Sequence, residues 1–262
     1  MSTYIISIFI ACTAFLLALH NLNQHLNNYF DLVAFFMVFG GTIAIGTVLL
    51  PWKLRKDLKS SFIDLLKNKK ITYHAVLNDC LNTLKSNVVS ITPGSESALY
   101  IEVLRDGLEL IQLGFNKEKI SDILSERVIQ YGLRKRKIAN ALKSLAKYPP
   151  AFGLVGTVLG LVNVMKGVSN GLGGKETALE MSVALVATMY GLIMANLIVN
   201  PSGELLSKKA AEEEIYGKIA IEAVLLMADH ASLLECQETL NSYAPFEQRI
   251  NLLANMNEDL AA

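Results

Sequence analysis

Charge is absent where it would have to be solvated. No Lys, Arg, Asp or Glu interrupts Leu32 to Leu50 or Met181 to Val199, nineteen residues each, and Tyr4 to Leu19 and Ala151 to Met165 are shorter uncharged runs. About 20 residues of helix cross a hydrocarbon layer, so the first pair qualify outright. The second pair each lie beside a stronger segment, which predicts four spans. At 52% hydrophobic and 18% charged residues, the chain is too apolar for an ordinary soluble domain. Positive charge is missing from the N-terminal end, since none of the 24 Lys and Arg precedes Lys53. A secretory signal needs a basic start and a small-residue cleavage site, so the first run reads as a retained span. Cysteine is scarce and odd in number: Cys12, Cys80 and Cys236 have no metal spacing and argue against a disulfide framework. His20, His25, His74 and His230 form no ligand pair. With no nucleophile–base set or phosphate-binding loop either, the sequence predicts no enzyme, no metal and no cofactor.

What is present is strongly asymmetric. Eighteen Lys and Arg lie between Lys53 and Lys147, two (Lys166 and Lys175) lie between the third and fourth spans, and four lie from Lys208 onward. The positive-inside rule then places both termini and the long central loop in the cytoplasm. The fold class is an all-α integral membrane protein with four transmembrane helices plus a helical cytoplasmic domain. Its expected parts are a transmembrane hairpin over 1–50 (spans about 3–20 and 30–50) and a cytoplasmic helical domain over 51–148. A second hairpin covers 149–200 (spans about 149–166 and 180–200), and a cytoplasmic C-terminal helix and tail cover 201–262. Only about His20 to Tyr29 and Gly167 to Leu179 remain outside.

Inside, Ile120, Ile123, Leu124, Val128 and Tyr131 follow the helical period, as do Ile138, Ala141, Leu142 and Leu145, which lead straight into the third span. Ile91-Thr92-Pro93-Gly94-Ser95 breaks the helices upstream, with Ser95 a candidate cap. Glu204 to about Leu240 reads as one long helix with Lys209 and Glu213 at i,i+4 and an apolar stripe at Ile215, Ile219, Ala223, Leu226 and Met227. Arg134-Lys135-Arg136-Lys137 reads as a solvated inside-facing surface, because it lies roughly 22 Å along a helix from the third span, deep for headgroup contact. No nucleic-acid partner is expected.

The informative stretch is Pro149-Pro150-Ala151-Phe152-Gly153-Leu154-Val155-Gly156-Thr157-Val158-Leu159-Gly160. Gly153, Gly156 and Gly160 share nearly one helix face, where another backbone can approach closely. The fourth span offers a matching small face in Ala184, Ala187, Thr188, Gly191 and Ala195. A packing seam explains the glycines alone. Thr157 and Thr188, however, set hydroxyls inside apolar spans that hold no central Asp, Glu, Lys or Arg. An ion path normally shows an ionisable group. Either the chain conducts nothing, or a partner helix brings the carboxylate and packs on Gly153, Gly156, Gly160, Ala184, Ala187 and Gly191.

The third-span stretch resembles the flagellar stator A-subunit (MotA/PomA) family. So do Val183-Ala184-Leu185-Val186-Ala187-Thr188-Met189-Tyr190-Gly191 followed by Asn200-Pro201, Gly40-Gly41, and Leu240-Asn241-Ser242-Tyr243-Ala244-Pro245 with Arg249. The span motifs also resemble TolQ and ExbB, but those have three spans and begin outside. The resemblance implies a torque-generating unit in which five copies ring two copies of a single-span B subunit. That subunit grips the cell wall, and its Asp carries the ion. It implies Thr157 and Thr188 on the ion pathway, beside that Asp, and Pro150 and Pro201 in coupling. It also implies a rotor or other load as a further partner, with Lys85, Glu96 and Glu102 as contact candidates in a region that lacks the family's usual Arg. A threonine at 157 favours sodium over a proton as the transported ion. Energising an envelope process in the manner of TolQ and ExbB, and a non-conducting membrane scaffold, are the alternative functions.

Overall fold

The computed structural model describes residues 29–66, 71–89, 91, 98–171 and 173–251, with positions 10, 13, 14 and 17 of the N-terminal segment. The expected first span, most of the Ile91–Ser95 loop and Glu96 fall outside the described residues. Among the described residues the structure is helical, and three stretches are long and apolar enough to cross a membrane: Leu32–Leu49, Lys117–Ser169 and Gly174–Ala228. The chain divides into two compact units, Met1–Leu66 with Lys137–Ser207, and Lys67–Arg136 with Lys208–Ala262.

The first unit is built on α1 (Leu32–Leu49), α2 (Trp52–Leu66), the end of α5 (Lys117–Leu145), α6 (Tyr148–Ser169), α7 (Gly174–Ile193) and the start of α8 (Asn200–Ala228). Asp31 starts α1 by accepting the Ala34 N–H at 2.7 Å, and Pro51 stops it. Tyr190 of α7 ties the same end down. Its hydroxyl donates to the Tyr29 carbonyl at 2.7 Å and accepts the Asp31 N–H at 3.2 Å. Within the apolar helix, Thr42 donates to the Val38 carbonyl at 2.6 Å, so no hydroxyl is stranded. Of Gly40 and Gly41, only Gly41 is needed for packing, because a Cβ there would lie 2.5 Å from the Phe152 ring.

Wide π-helical turns occur at Phe36–Gly40 and at Met194–Val199. The second has a visible cause. Pro201 has no N–H for the Leu197 carbonyl one turn back, and the wider turn just before it accommodates the loss. α5 does not run straight into α6 as the pattern of Ile138, Ala141, Leu142 and Leu145 predicts. It stops at Leu145, a turn covers Ala146 and Lys147, and α6 restarts with Pro149 and Pro150 in its first turn. Proline lacks a donor but is tolerated where the N–H would be unpaired anyway.

The second unit packs α3 (Tyr73–Ser86), α4 (Leu99–Gln112), most of α5 and α8, and α9 (Leu233–Asn241) around Leu77, Tyr100, Leu104, Leu124, Ile219 and Leu240. Ile120, Leu124 and Val128 are fully buried and Ile123 and Tyr131 partly so, as their period requires. The expected single helix from Glu204 to Leu240 is interrupted. α8 ends at Ala228 because His230 takes a left-handed φ of 53°, while His230 and Ala231 bond back to the Met227 and Leu226 carbonyls at 3.1 Å. Ser232 then caps α9 through the Glu235 N–H at 3.3 Å. The Ser-x-x-Glu spacing was the overlooked signal.

Of the basic run, Arg136 pairs with Glu214 and Lys135 lies 5.2 Å over the Tyr131 ring, while Arg134 and Lys137 are exposed. After α9 the chain turns back. Asn241 donates to the Ile250 carbonyl at 2.7 Å and accepts its N–H at 2.9 Å, fixing the tail against the unit. The Cys80 thiol is pushed well up by burial and then by Asp79, and Tyr216 is raised to about 12 by burial and then by Glu212.

Candidate functional site

The site is the seam between α6 and α7. A Cβ on Gly153 would stand 2.9 Å from both the Ala187 carbonyl oxygen and the Thr188 Cα. One on Gly156 would stand 2.6 Å from the Ala187 Cβ and 3.2 Å from the Met37 Sδ, and one on Gly160 would stand 2.5 Å from the Ala184 Cβ. Gly191 lies against the Pro149 carbonyl and within 3.0 Å of the Pro150 Cα by the same measure. The helix backbones are therefore in van der Waals contact along the seam, where dispersion rather than a hydrophobic force holds helices in lipid.

These six residues, expected to receive a partner helix, pack on one another within the chain and are buried. Within the chain, these residues form the α6–α7 seam.

That contact brings the two threonines together, and both remain half-buried. Their hydroxyls are hydrogen-bonded to each other. Thr157 Oγ1 lies 3.2 Å from the Gly153 and 3.2 Å from the Ala184 carbonyl oxygen, and Thr188 Oγ1 lies 3.1 Å and 3.5 Å from the same two. Four oxygens thus make five contacts with only two hydroxyl protons among them. Lone pairs exceed protons, so the cluster is electronegative although it carries no formal charge. No Asp, Glu, Lys or Arg lies between Ala151 and Met165 of α6 or between Met181 of α7 and Val199 at the end of the π-helical turn that follows it.

Pro150 lies in the first turn of α6 beside Gly191, and Pro201 lies just beyond the π-helical turn. Thus each expected coupling proline stands at a helix irregularity at one end of the seam helices. Lys85 ends α3 and Glu102 opens α4, both exposed, and neither takes part in an ion pair among the described residues. The sequence pointed to both threonines but not to their shared carbonyls, which become visible only once glycine lets the backbones meet.

Closely packed apolar helices that share a half-buried, uncharged oxygen cluster define the class of helical membrane proteins. The chain matches the MotA/TolQ/ExbB proton channel family over residues 96–219. It is 34% identical over 135 residues to the Motility protein A of Borreliella burgdorferi, covering 50% of each chain. It is 24% identical over 221 residues to that of Bacillus subtilis, covering 83% of this chain and 81% of the relative. The structure of C. jejuni MotAB has the same fold, with a TM-score of 0.81 at 16% identity, covering 93% of this chain and 96% of that one. The chain is thus similar to this family over residues 96–219, and it shares the fold of the MotAB structure.

Proposed function

We infer that the chain is the A subunit of an ion-driven stator, turning ion-motive force into rotation with a single-span B subunit that supplies the ion-binding carboxylate. The observation that carries this reading is the Thr157–Thr188 cluster, whose lone pairs outnumber its protons and which has no carboxylate of its own. The two hydroxyls are half-buried, so a partner helix approaches them from the outer side of the seam. Relatives are named motility proteins, and one similar fold comes from a MotAB complex, which supports a B partner.

The reading includes four spans, the first over about 3–20, with both termini and about 51–148 in the cytoplasm of an inner-membrane protein. Five copies surround two partner helices, and the load is a flagellar rotor or another cytoplasmic body engaged through Lys85, Glu96 and Glu102. Pro150 and Pro201 transmit movement at the seam ends. The cargo is sodium, because hydroxyl and carbonyl oxygens complete the shell of a dehydrated cation while a proton needs only the partner carboxylate.

Rotation is measured across a sodium series at fixed pH, with and without a protonophore. Speed that rises with sodium and survives the protonophore supports the full reading. Sodium-independent rotation that collapses with the protonophore replaces sodium by the proton. Assembly with a B-type partner but no ion-dependent work of any kind removes the motor.

A further inference from the structure

We propose that the outward face of α2 binds the phosphate headgroups of anionic phospholipids, clamping the cytoplasmic end of α1 to the bilayer; this rests on the membrane placement of α1 given above. α2 starts at Trp52, three residues after α1 ends at Leu49. At 100° per residue, Trp52, Arg55, Lys56 and Lys59 fall within an arc of about 100°, and all four are exposed. Leu54 and Leu58 point elsewhere and pack with Ile138, Leu142 and Leu206. The helix therefore has one side committed to the protein and one uncovered basic side at the membrane boundary.

Two features make that side more than a solvated charge run. Trp52 is 67% exposed, and the Arg55 guanidinium lies 5.3 Å and the Lys56 ammonium 5.9 Å from its ring centroid. An indole at the end of a span favours the headgroup layer, where its ring meets acyl chain ends and its N–H meets polar groups. Cation–π contact holds the two positive charges over the same ring, at headgroup depth. Moreover, none of Arg55, Lys56 and Lys59 forms an ion pair among the described residues. In the other basic run, by contrast, Arg136 is neutralised by Glu214 and Lys135 lies over a tyrosine ring, not an indole. A patch of three cations with no ion pair among the described residues, set around an interfacial indole, is complementary to a lipid phosphate. Each such cation near an anionic surface adds roughly fivefold to the affinity.

Trp52 is the only tryptophan, so the full chain reports on its own site. The protein, alone or with a tryptophan-free partner, is reconstituted in nanodiscs containing equal mole fractions of brominated phosphatidylglycerol or brominated phosphatidylcholine, and Trp52 quenching is compared. Quenching by the glycerol lipid at least twice as strong is expected. That preference should disappear in Arg55→Gln/Lys56→Gln/Lys59→Gln and weaken in Lys59→Gln alone, while the choline lipid still quenches. Equal quenching in the wild-type protein, or a preference kept by the triple variant, overturns the lipid site and leaves the span intact. No quenching by either lipid overturns the placement of α1 together with the site. Loss of the preference when inorganic phosphate replaces chloride at constant ionic strength overturns the lipid as occupant, because a soluble anion then fills the patch.

Discussion

Gly191 of α7 lies so close to Pro149 of α6 that a β-carbon on the glycine would strike the proline carbonyl. The obstacle is backbone, which cannot swing aside as a side chain can. Gly191→Ala should therefore cost about 1–3 kcal/mol through overpacking and push α6 and α7 apart at the Pro149 end of the seam. Thermal unfolding of the detergent-solubilised protein checks this. Gly174→Ala, where a Cβ meets nothing within 4 Å, is the control and should change stability little. Equal melting of the two variants would show that the seam is looser than described.

The threonine pair separates packing from conduction. Thr157→Ala leaves the Thr188 hydroxyl with the Gly153 carbonyl at 3.1 Å as acceptor, so the protein should lose no more than about 1 kcal/mol. Ion-driven work should fall steeply in Thr157→Ala and Thr188→Ala and be largely kept in Thr157→Ser, which restores the oxygen. A double-mutant cycle on rotation rate tests whether the two hydroxyls act as one unit, and the losses should be far from additive. Additive losses, or failure of Thr157→Ser to retain function, would assign the residues to packing.

Pro201 sets a third expectation. In Pro201→Ala the residue regains an N–H for the Leu197 carbonyl, so the π-helical turn at Met194–Val199 should relax toward regular α-helix. The stator complex should still assemble while rotation is impaired. Normal torque in this variant and in Pro150→Ala would reduce both prolines to helix punctuation.

Much of this was legible in advance because membranes impose long uncharged runs and small-residue seams. Leu32–Leu49 and the α6–α7 pair follow from that constraint, and Thr157 and Thr188 stand out in the sequence as hydroxyls inside uncharged runs. What stayed hidden depends on backbone geometry. Whether Gly153 and Gly160 face a foreign helix or α7 is not encoded in their spacing, since either partner needs the same close approach. The end of α8 was missed because His at a left-handed C-terminal position is uncommon, and an apolar stripe running through Leu226 and Met227 masked it.

That unusual cap is itself testable. His230 holds φ at 53°, a region that glycine enters without steric cost. His230→Gly should stabilise the protein by roughly 0.5–1 kcal/mol, with no change in ion-driven function, provided the gain in the folded cap exceeds the extra freedom of the unfolded chain. Chemical denaturation at neutral pH checks this. A loss of stability would mean that the His230 side chain contributes more than its backbone costs.

Alkaline stability follows from two buried groups of the second unit. Tyr216 donates to the Ile71 carbonyl at 3.0 Å and is raised to about 12 by burial first and then by the Glu212 carboxylate. The folded protein therefore keeps a proton that the unfolded chain releases near pH 10. Linkage gives the sign: stability contributed by this group is complete below pH 10 and is lost as pH rises from about 10 to 12. Solvent screening reduces the full two-unit effect to roughly 1–2 kcal/mol. Cys80 acts in the same direction from lower pH, because its thiol is also raised by burial and then by Asp79, so loss begins just above the ordinary thiol range of about 8.5. Denaturation midpoints of the solubilised protein should accordingly fall from pH 9 to pH 12. Tyr216→Phe should start about 1 kcal/mol less stable for want of its hydrogen bond yet fall less between pH 10 and 12. Cys80→Ala should delay the first part of the decline. A Tyr216→Phe profile parallel to the wild-type curve across that window would show that the phenol stays protonated no longer in the folded protein than in the unfolded chain.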